Sequence, residues 1–351
     1  MLGYQLLALA YTESCPFSCD HCIGESSPNR IGKMSIADAK RYVRSAHEMK
    51  IPGVGITGGE PFLYFHEILE LIEFATGLGM KTSVITSGYW AFDPVRAGEM
   101  MGQLVEKGLD VLAVSCDEFH QRHVPLSQLR ALADLCSRIG LRMTLNVCRS
   151  AKNTCEYGDI KATVHEQSLL PLGRASNLSD DFFVRYETPP RGSCNNLLLP
   201  RIDWNGQIFA CCGPARFSTR TSPLCLGNVN ELGLRETLLR AAEEPILGAV
   251  NVWGPYGLWK LLQDGGPNQL YRPRQRYLGG ICMLCLDLLN SPNLVTALHE
   301  KLERPEIKRR LEAALLVANY RIKIENASKR ATGWNGSHSE RSSPSYCRER
   351  T

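Results

Sequence analysis

The first 175 residues alternate short apolar runs with amphipathic ones, and this alternation constrains the fold more than any other feature of the chain. Strands are predicted at 4–11, 53–57, 81–86, 111–115, 142–147 and 162–168, and helices at 36–49, 66–77, 94–107 and 126–139. A β-α order repeated in this way implies a parallel sheet with helices packed outside it. Six units fit, two short of a closed eight-unit barrel. The connection around 153–158 is too short for a helix. Pro171, Gly173, Pro189 and Pro190 then punctuate the chain, and a different pattern begins. Strand-like runs at 197–203 and 207–211 flank Trp204-Asn205-Gly206, a signal for a tight hairpin turn. Helical patterns follow near 232–243, 253–262 and 293–319, and from about residue 320 periodicity is lost, so disorder is expected there.

Cysteine is the compositional anomaly, at 14 of 351 residues. No apolar run approaches the roughly 20 residues needed to span a bilayer. The N-terminus lacks the basic leader and cleavage site of a signal peptide, so a cytoplasmic protein is expected. Thiols stay reduced in that compartment, which favours metal or cluster ligation over disulfides. The net charge of +4 equals that of the segment from Arg321 onward, leaving the rest near neutral. A basic footprint for nucleic acid on the folded part is therefore absent.

Cys15-Pro-Phe-Ser-Cys19-Asp-His-Cys22 follows the first predicted strand. Cubane clusters are usually held by four thiolates, so three in one loop leave one iron open to chelate the amino and carboxylate groups of a methionine-type ligand. A zinc site completed elsewhere is the competing reading, but structural zinc usually uses Cys-x2-Cys pairs. C-x3-C-x2-C at the top of a first barrel strand resembles the radical S-adenosylmethionine (SAM) superfamily, in which the residue before the third cysteine is usually aromatic and is here His21. Gly58-Gly59-Glu60-Pro61, at the end of the second strand, resembles that family's motif for the SAM amino group. Glycines allow close backbone approach to a ligand, and Glu60 would hold the ammonium. The resemblance implies further SAM contacts at the strand ends Ser87, Ser115, Asp117 and Asn146. Arg174 lies in a segment common after the last strand of such barrels.

Cys194, eleven residues, Gly206, four residues and Cys211, with a distant Cys282-Met-Leu-Cys285, resemble the "twitch" form of the SPASM domain. This implies one auxiliary [4Fe–4S] cluster held by Cys194, Cys211, Cys282 and Cys285, with a zinc ribbon as the alternative and Cys225 as a competing ligand. The expected fold is thus α/β: a partial (β/α)6 TIM-like radical SAM barrel over 1–185 and a small α+β twitch domain over 186–319. A basic tail covers 320–351. Cys116, Cys136, Cys148 and Cys155 read as core residues.

Thr86-Ser-Gly-Tyr-Trp90, Ser115-Cys-Asp-Glu-Phe-His120 and Cys211-Cys-Gly-Pro-Ala215 resemble the radical SAM peptide epimerases of epipeptides. That resemblance makes Cys212 the hydrogen-atom donor. It implies that a 5′-deoxyadenosyl radical takes the α-hydrogen of an L-residue in a ribosomally made precursor peptide and a thiol returns hydrogen from the other face. If Cys211 and Cys212 sit on a strand they point to opposite faces, which separates ligand from donor. The expected cofactors are two [4Fe–4S] clusters and SAM. The expected partners are the precursor peptide and an electron donor such as a flavodoxin or ferredoxin. A peptide crosslinking or oxidising enzyme, or a small-molecule dehydrogenase, would use the same clusters without a donor thiol.

Overall fold

The computed structural model describes residues 2–153, 155–263 and 277–331. Its first half carries six parallel strands, β1 (Leu7–Thr12), β2 (Gly53–Gly58), β3 (Lys81–Thr86), β4 (Val111–Ser115), β5 (Arg142–Arg149) and β6 (Thr163–Ser168). Helices α1 (Ile36–Glu48), α2 (Phe65–Gly77), α3 (Pro94–Glu106) and α4 (Leu126–Ile139) join the first five strands. No helix joins β5 to β6 among the described residues. The α/β architecture with a partial parallel barrel is therefore as expected.

The local chemistry explains where these helices begin and end. Ser35 Oγ accepts the Asp38 N–H at 3.0 Å and caps α1, and Asp93 caps α3 just before Pro94. Gly140, at φ 74°, closes α4. Ala39, Tyr42, Val43 and Ala46 recur at helical spacing and bury one face of α1. Leu7, Leu9 and Tyr11 pack into the same apolar core as that face. Strand alternation places Ala8, Ala10 and Thr12 on the inner side of the sheet.

The chain then forms β7 (Arg185–Tyr186), β8 (Arg201–Asp203), β9 (Gln207–Phe209) and β10 (Cys225–Asn228). β8 lies parallel to β1, and β9 and β10 follow antiparallel, so the sheet runs β10-β9-β8-β1-β2-β3-β4-β5-β6. Helices α5 (Val229–Leu232), α6 (Leu234–Glu243) and α7 (Pro245–Gln263) come next. They are followed by β11 (Tyr277–Leu278), which pairs with β7, and by α8 (Ile281–Leu289), α9 (Pro292–Leu302) and α10 (Pro305–Ala331). A second apolar core lies among these helices. Among the described residues no single helix is long and apolar enough to cross a membrane.

Several expected elements change in this half. The run 197–203 is a 3-10 turn (Asn195–Leu198) followed by the short β8. The hairpin is not a two-residue Asn-Gly turn: Gly206 N–H bonds to Asp203 O at 2.9 Å, and Gly206 takes φ 84° after Trp204 and Asn205. This is the three-residue loop with a left-handed glycine. Helix α7 begins eight residues before the expected start of 253 because the breakers Gly254 and Pro255 lie inside it. Gly254 has φ 69°, and a Cβ there would overlap the Gly192 carbonyl oxygen. Pro305 divides the expected 293–319 helix, since proline starts helices more readily than it continues them. α10 runs on to Ala331, because elongating a formed helix costs less than nucleating one. The remainder of the expected disordered tail, 332–351, lies outside the described residues.

Candidate active site

Residues 13–33 form a loop that leaves β1 and closes back on it. Glu13 N–H bonds to Gly32 O at 2.9 Å, Cys15 N–H to Ser27 O at 3.2 Å and Met34 N–H to Tyr11 O at 2.7 Å. Cys15, Cys19 and Cys22 lie on this loop over the C-terminal ends of the strands and within electrostatic reach of one another. Cys15 also feels Glu60, beyond β2, and Cys19 feels Asp117, beyond β4. Burial pushes the Cys15 and Cys19 thiols up to about 12, against a backbone hydrogen bond at Cys15 and the Arg174 charge at Cys19.

Arg174 is the clamp on this loop. Its Nε donates to Cys19 O at 2.9 Å and its Nη2 to Ser26 O at 2.7 Å, while its own N–H bonds to Cys22 O at 3.2 Å. The planar guanidinium reaches two carbonyls from fixed angles, which a lysine cannot do. Phe17 stacks on His123 with ring centroids 4.3 Å apart, and Arg122 pairs with Asp20 at 2.6 Å, tying the loop to the segment after β4.

The expected SAM-contact residues lie at or just beyond the ends of β2, β3 and β4 and on β5. Gly58 and Gly59 pack against the β1 exit, where a Cβ at Gly58 would overlap Thr12 O and one at Gly59 would overlap Ser14 O. Glu60 is fully buried, and both carboxylate oxygens are engaged. Oε1 accepts Phe62 N–H at 3.1 Å and Thr86 Oγ1–H at 2.8 Å, and Oε2 accepts Ser87 N–H at 2.8 Å and Ser87 Oγ–H at 2.6 Å. Four donors fill a carboxylate's usual acceptor positions. Glu60 and Ser87 therefore face each other, and their hydrogen bonds tie the β2 and β3 ends together. Burial pushes the Glu60 pKa up, with the Ser87, Thr86 and Phe62 donors opposing. Pro61 opens the short 3-10 turn that follows. Ser115 and Asn146 are paired across β4 and β5.

Asp117 is buried beside two ring nitrogens. Its carboxylate accepts the Phe119 and His120 N–H groups at 3.1 and 3.0 Å and meets His120 Nδ1 at 2.9 Å and His21 Nε2 at 3.6 Å. Burial would raise its pKa, but the His120 hydrogen bond and the histidine charges prevail and hold it at about 2. Burial holds His21 neutral, at about 4, despite the Asp117 charge. The His21 ring stacks on Phe119, and its Nδ1 is buried with no protein partner among the described residues.

In the second cysteine set, Cys194 and Cys211 are buried in one apolar core, against which Cys282, Cys285 and Cys225 pack. Cys194 and Cys211 act on each other electrostatically. Cys282 and Cys285 share one face of α8 through their i, i+3 spacing. Asn290 then joins the end of α8 to the loop after Cys212, donating to Phe217 O at 3.2 Å and accepting the Thr219 N–H at 3.0 Å. The Cys225 sulfur accepts the Gln207 amide at 3.4 Å. The alternation argument for Cys211 and Cys212 fails, because β9 ends at Phe209 and both residues lie in the bend beyond it. Their surroundings differ nonetheless: Cys211 feels Cys194 and Cys212, whereas Cys212 also feels the Arg201 charge.

Sequence reasoning missed Arg201 and Arg216. In β8, Ile202 joins the barrel core, so Arg201 and Asp203 lie on the inner face, paired Nε to Oδ1 at 2.6 Å. The inward register opposite Ala8 and Ala10 could have indicated this only if the β8–β1 pairing were known.

A [4Fe–4S] cluster fits the first loop: three soft thiols converge, their backbone is clamped, and the loop sits in an apolar cluster with Phe119, Leu169 and Phe183. Residues 9–157 match the Radical SAM superfamily. This stretch is a radical SAM domain, and that family implies SAM and one [4Fe–4S] cluster. The chain is 22% identical to the peptide biosynthesis protein YydG of Bacillus subtilis (strain 168), over 83% of this chain and 93% of that protein. It is 28% identical to an AdoMet-dependent heme synthase of Oleidesulfovibrio alaskensis, over 50% and 48% of the two chains. It is 31% identical to a PqqA peptide cyclase of Xanthomonas campestris pv. campestris, over 39% and 38%. The last two likenesses thus span less than half of those relatives.

Proposed function

We propose that the chain converts L- to D-residues in a ribosomally made peptide, with Cys212 returning the hydrogen atom. The similarity to YydG supports a peptide substrate because it extends over most of both chains. The observation that carries the choice of reaction is the place of Cys212. It lies within reach of Arg201, and Arg201 shares a cleft with Thr12, Gly24 and Gly58 of the cluster loop and the β2 end. The thiol thus neighbours a residue that lines this cleft, which supports the donor role.

In this reading Cys15, Cys19 and Cys22 hold the catalytic cluster. The Gly58–Pro61 turn, with Ser87, Ser115, Asp117 and Asn146 at the next strand ends, shapes the SAM pocket. Cys194, Cys211, Cys282 and Cys285 hold an auxiliary cluster within a twitch-like unit over 186–319. Bound SAM and its cluster supply a 5′-deoxyadenosyl radical, the agent for removing an α-hydrogen. The Cys212 S–H bond then breaks as the new Cα–H bond forms on the opposite face. The resulting thiyl radical regains S–H by taking one electron and one proton. An auxiliary cluster and an electron donor such as a flavodoxin or ferredoxin would provide that electron.

The likeness to a peptide cyclase, over 39% of the chain, favours the second reading, oxidation or crosslinking, which needs no donor thiol. Cys212→Ala separates the two. Epimerisation predicts loss of the D-residue with iron content and 5′-deoxyadenosine formation retained. Unchanged product from Cys212→Ala would remove the proposal.

A further inference from the structure

Arg216 sits in the 3-10 turn Pro214–Phe217, immediately after the Cys211-Cys212 bend. It lines the same cleft as Arg201, Asp203, Thr12, Gly24 and Gly58. Its Nη1 lies close to Gly24, and its charge acts on Cys22 and Glu25 of the cluster loop. Arg201 is neutralised by Asp203 at 2.6 Å. Arg216 is half-buried and makes no hydrogen bond or ion pair among the described residues. Burial, and then Arg201, lower its pKa from the ordinary arginine value, with Asp203, Cys22 and Glu25 opposing. A partly desolvated guanidinium without a bound anion is unfavourable. Its fork of donors suits a carboxylate approached in two-point fashion. Gly24 and Gly58 leave room on the cluster-loop side, where Ser26 and Glu13 also line the cleft and Glu13 is paired with Arg30 at 3.4 Å.

We propose that Arg216, with Arg201 beside it, forms a subsite for a ligand carboxylate at the barrel mouth, between the Cys15–Cys22 loop and Cys212. Two ligands present that group: the methionyl end of SAM, and an acidic side chain of a peptide. The subsite rests on the radical SAM reading and does not depend on epimerisation.

The test uses full-length protein, reconstituted anaerobically, as wild type, Arg216→Gln and Arg216→Lys. Equilibrium dialysis measures SAM binding. Fluorescence anisotropy measures binding of a labelled ten-residue Gly/Ala/Val peptide bearing one Asp, and of its Asn twin. Losing a charge-assisted hydrogen bond predicts about tenfold weaker binding in Arg216→Gln, with Arg216→Lys between. Weaker SAM binding at wild-type iron content assigns the carboxylate to SAM. A wild-type preference for the Asp peptide that disappears in Arg216→Gln assigns it to the peptide. Unchanged SAM affinity together with no Asp preference in the wild type overturns the subsite. So does a variant whose SAM affinity falls only in proportion to the iron it has lost, since Arg216 would then serve the cluster alone. Arg216→Lys keeps the charge and covers the case in which the Gln variant does not assemble. No arm reads turnover, so failure here leaves the epimerase test independent.

Discussion

The two cysteine regions solve the same problem of presenting sulfur in opposite ways. Cys15, Cys19 and Cys22 fall within one loop, held by backbone bonds to its own neighbours, by the Arg122–Asp20 ion pair and by Arg174 from about 150 residues away. Cys194, Cys211, Cys282 and Cys285, the proposed second set, come from three separate segments that lie in or against one apolar core. The first set is a local device placed on a preformed strand end. The proposed second set could be brought together only by tertiary packing, so it should be the more easily lost when packing is disturbed.

The largest expected effects come from two glycines, one in each region. Gly59→Ala drives a methyl into the Ser14 carbonyl and Gly254→Ala drives one into the Gly192 carbonyl, both backbone atoms that cannot swing aside. Each should cost about 3–5 kcal/mol and lower the melting temperature sharply. The comparison predicts that Gly254→Ala keeps the SAM-responsive cluster signal in electron paramagnetic resonance, whereas Gly59→Ala loses it. Equal loss in both variants would mean that the regions fold as one unit.

Arg174→Ala follows. It removes two charge-assisted bonds to Cys19 O and Ser26 O, about 2–4 kcal/mol of loop ordering. Iron bound after reconstitution should fall, and Arg174→Lys should recover only part of it. Cysteine replacements then sharpen the comparison by metal count. Cys19→Ser and Cys285→Ser should each reduce iron from about eight to about four atoms per chain. Only the first should abolish SAM-dependent chemistry. Full iron retention in Cys285→Ser would argue against the auxiliary cluster.

The smallest effect is a pH dependence in the cluster-free protein. Asp117 is held below its unfolded value, so its stabilisation is present above about pH 4 and is lost as pH falls towards about 2. At neutral pH it is worth about 2 kcal/mol at most. Melting curves of wild type and Asp117→Asn should therefore converge across that interval. A constant difference would mean that Asp117 acts by shape alone.

Legibility follows the same division. The barrel strands were readable because each apolar run is short, is bounded by turn residues and alternates with a capped helix, as with Ser35 before α1 and Asp93 before α3. The cluster loop was readable because its ligands are contiguous. The hydrogen bonds between Glu60 and Ser87 were not, because they depend on the spacing between β2 and β3. Arg201 and Arg216 were invisible for the related reason that β8 joins the barrel beside β1, a parallel pairing between residues almost 200 apart. Local pattern also misled at α7, where Gly254 and Pro255 read as a helix start although they mark a break within the helix.

The most direct test of the central claim follows a peptide substrate by mass spectrometry after turnover in heavy water with SAM and reductant. The account predicts a gain of one deuterium at each modified residue, because the Cys212 thiol exchanges with solvent before it delivers its hydrogen. A loss of two hydrogens with no deuterium gained would contradict it and make the chain an oxidising or crosslinking enzyme.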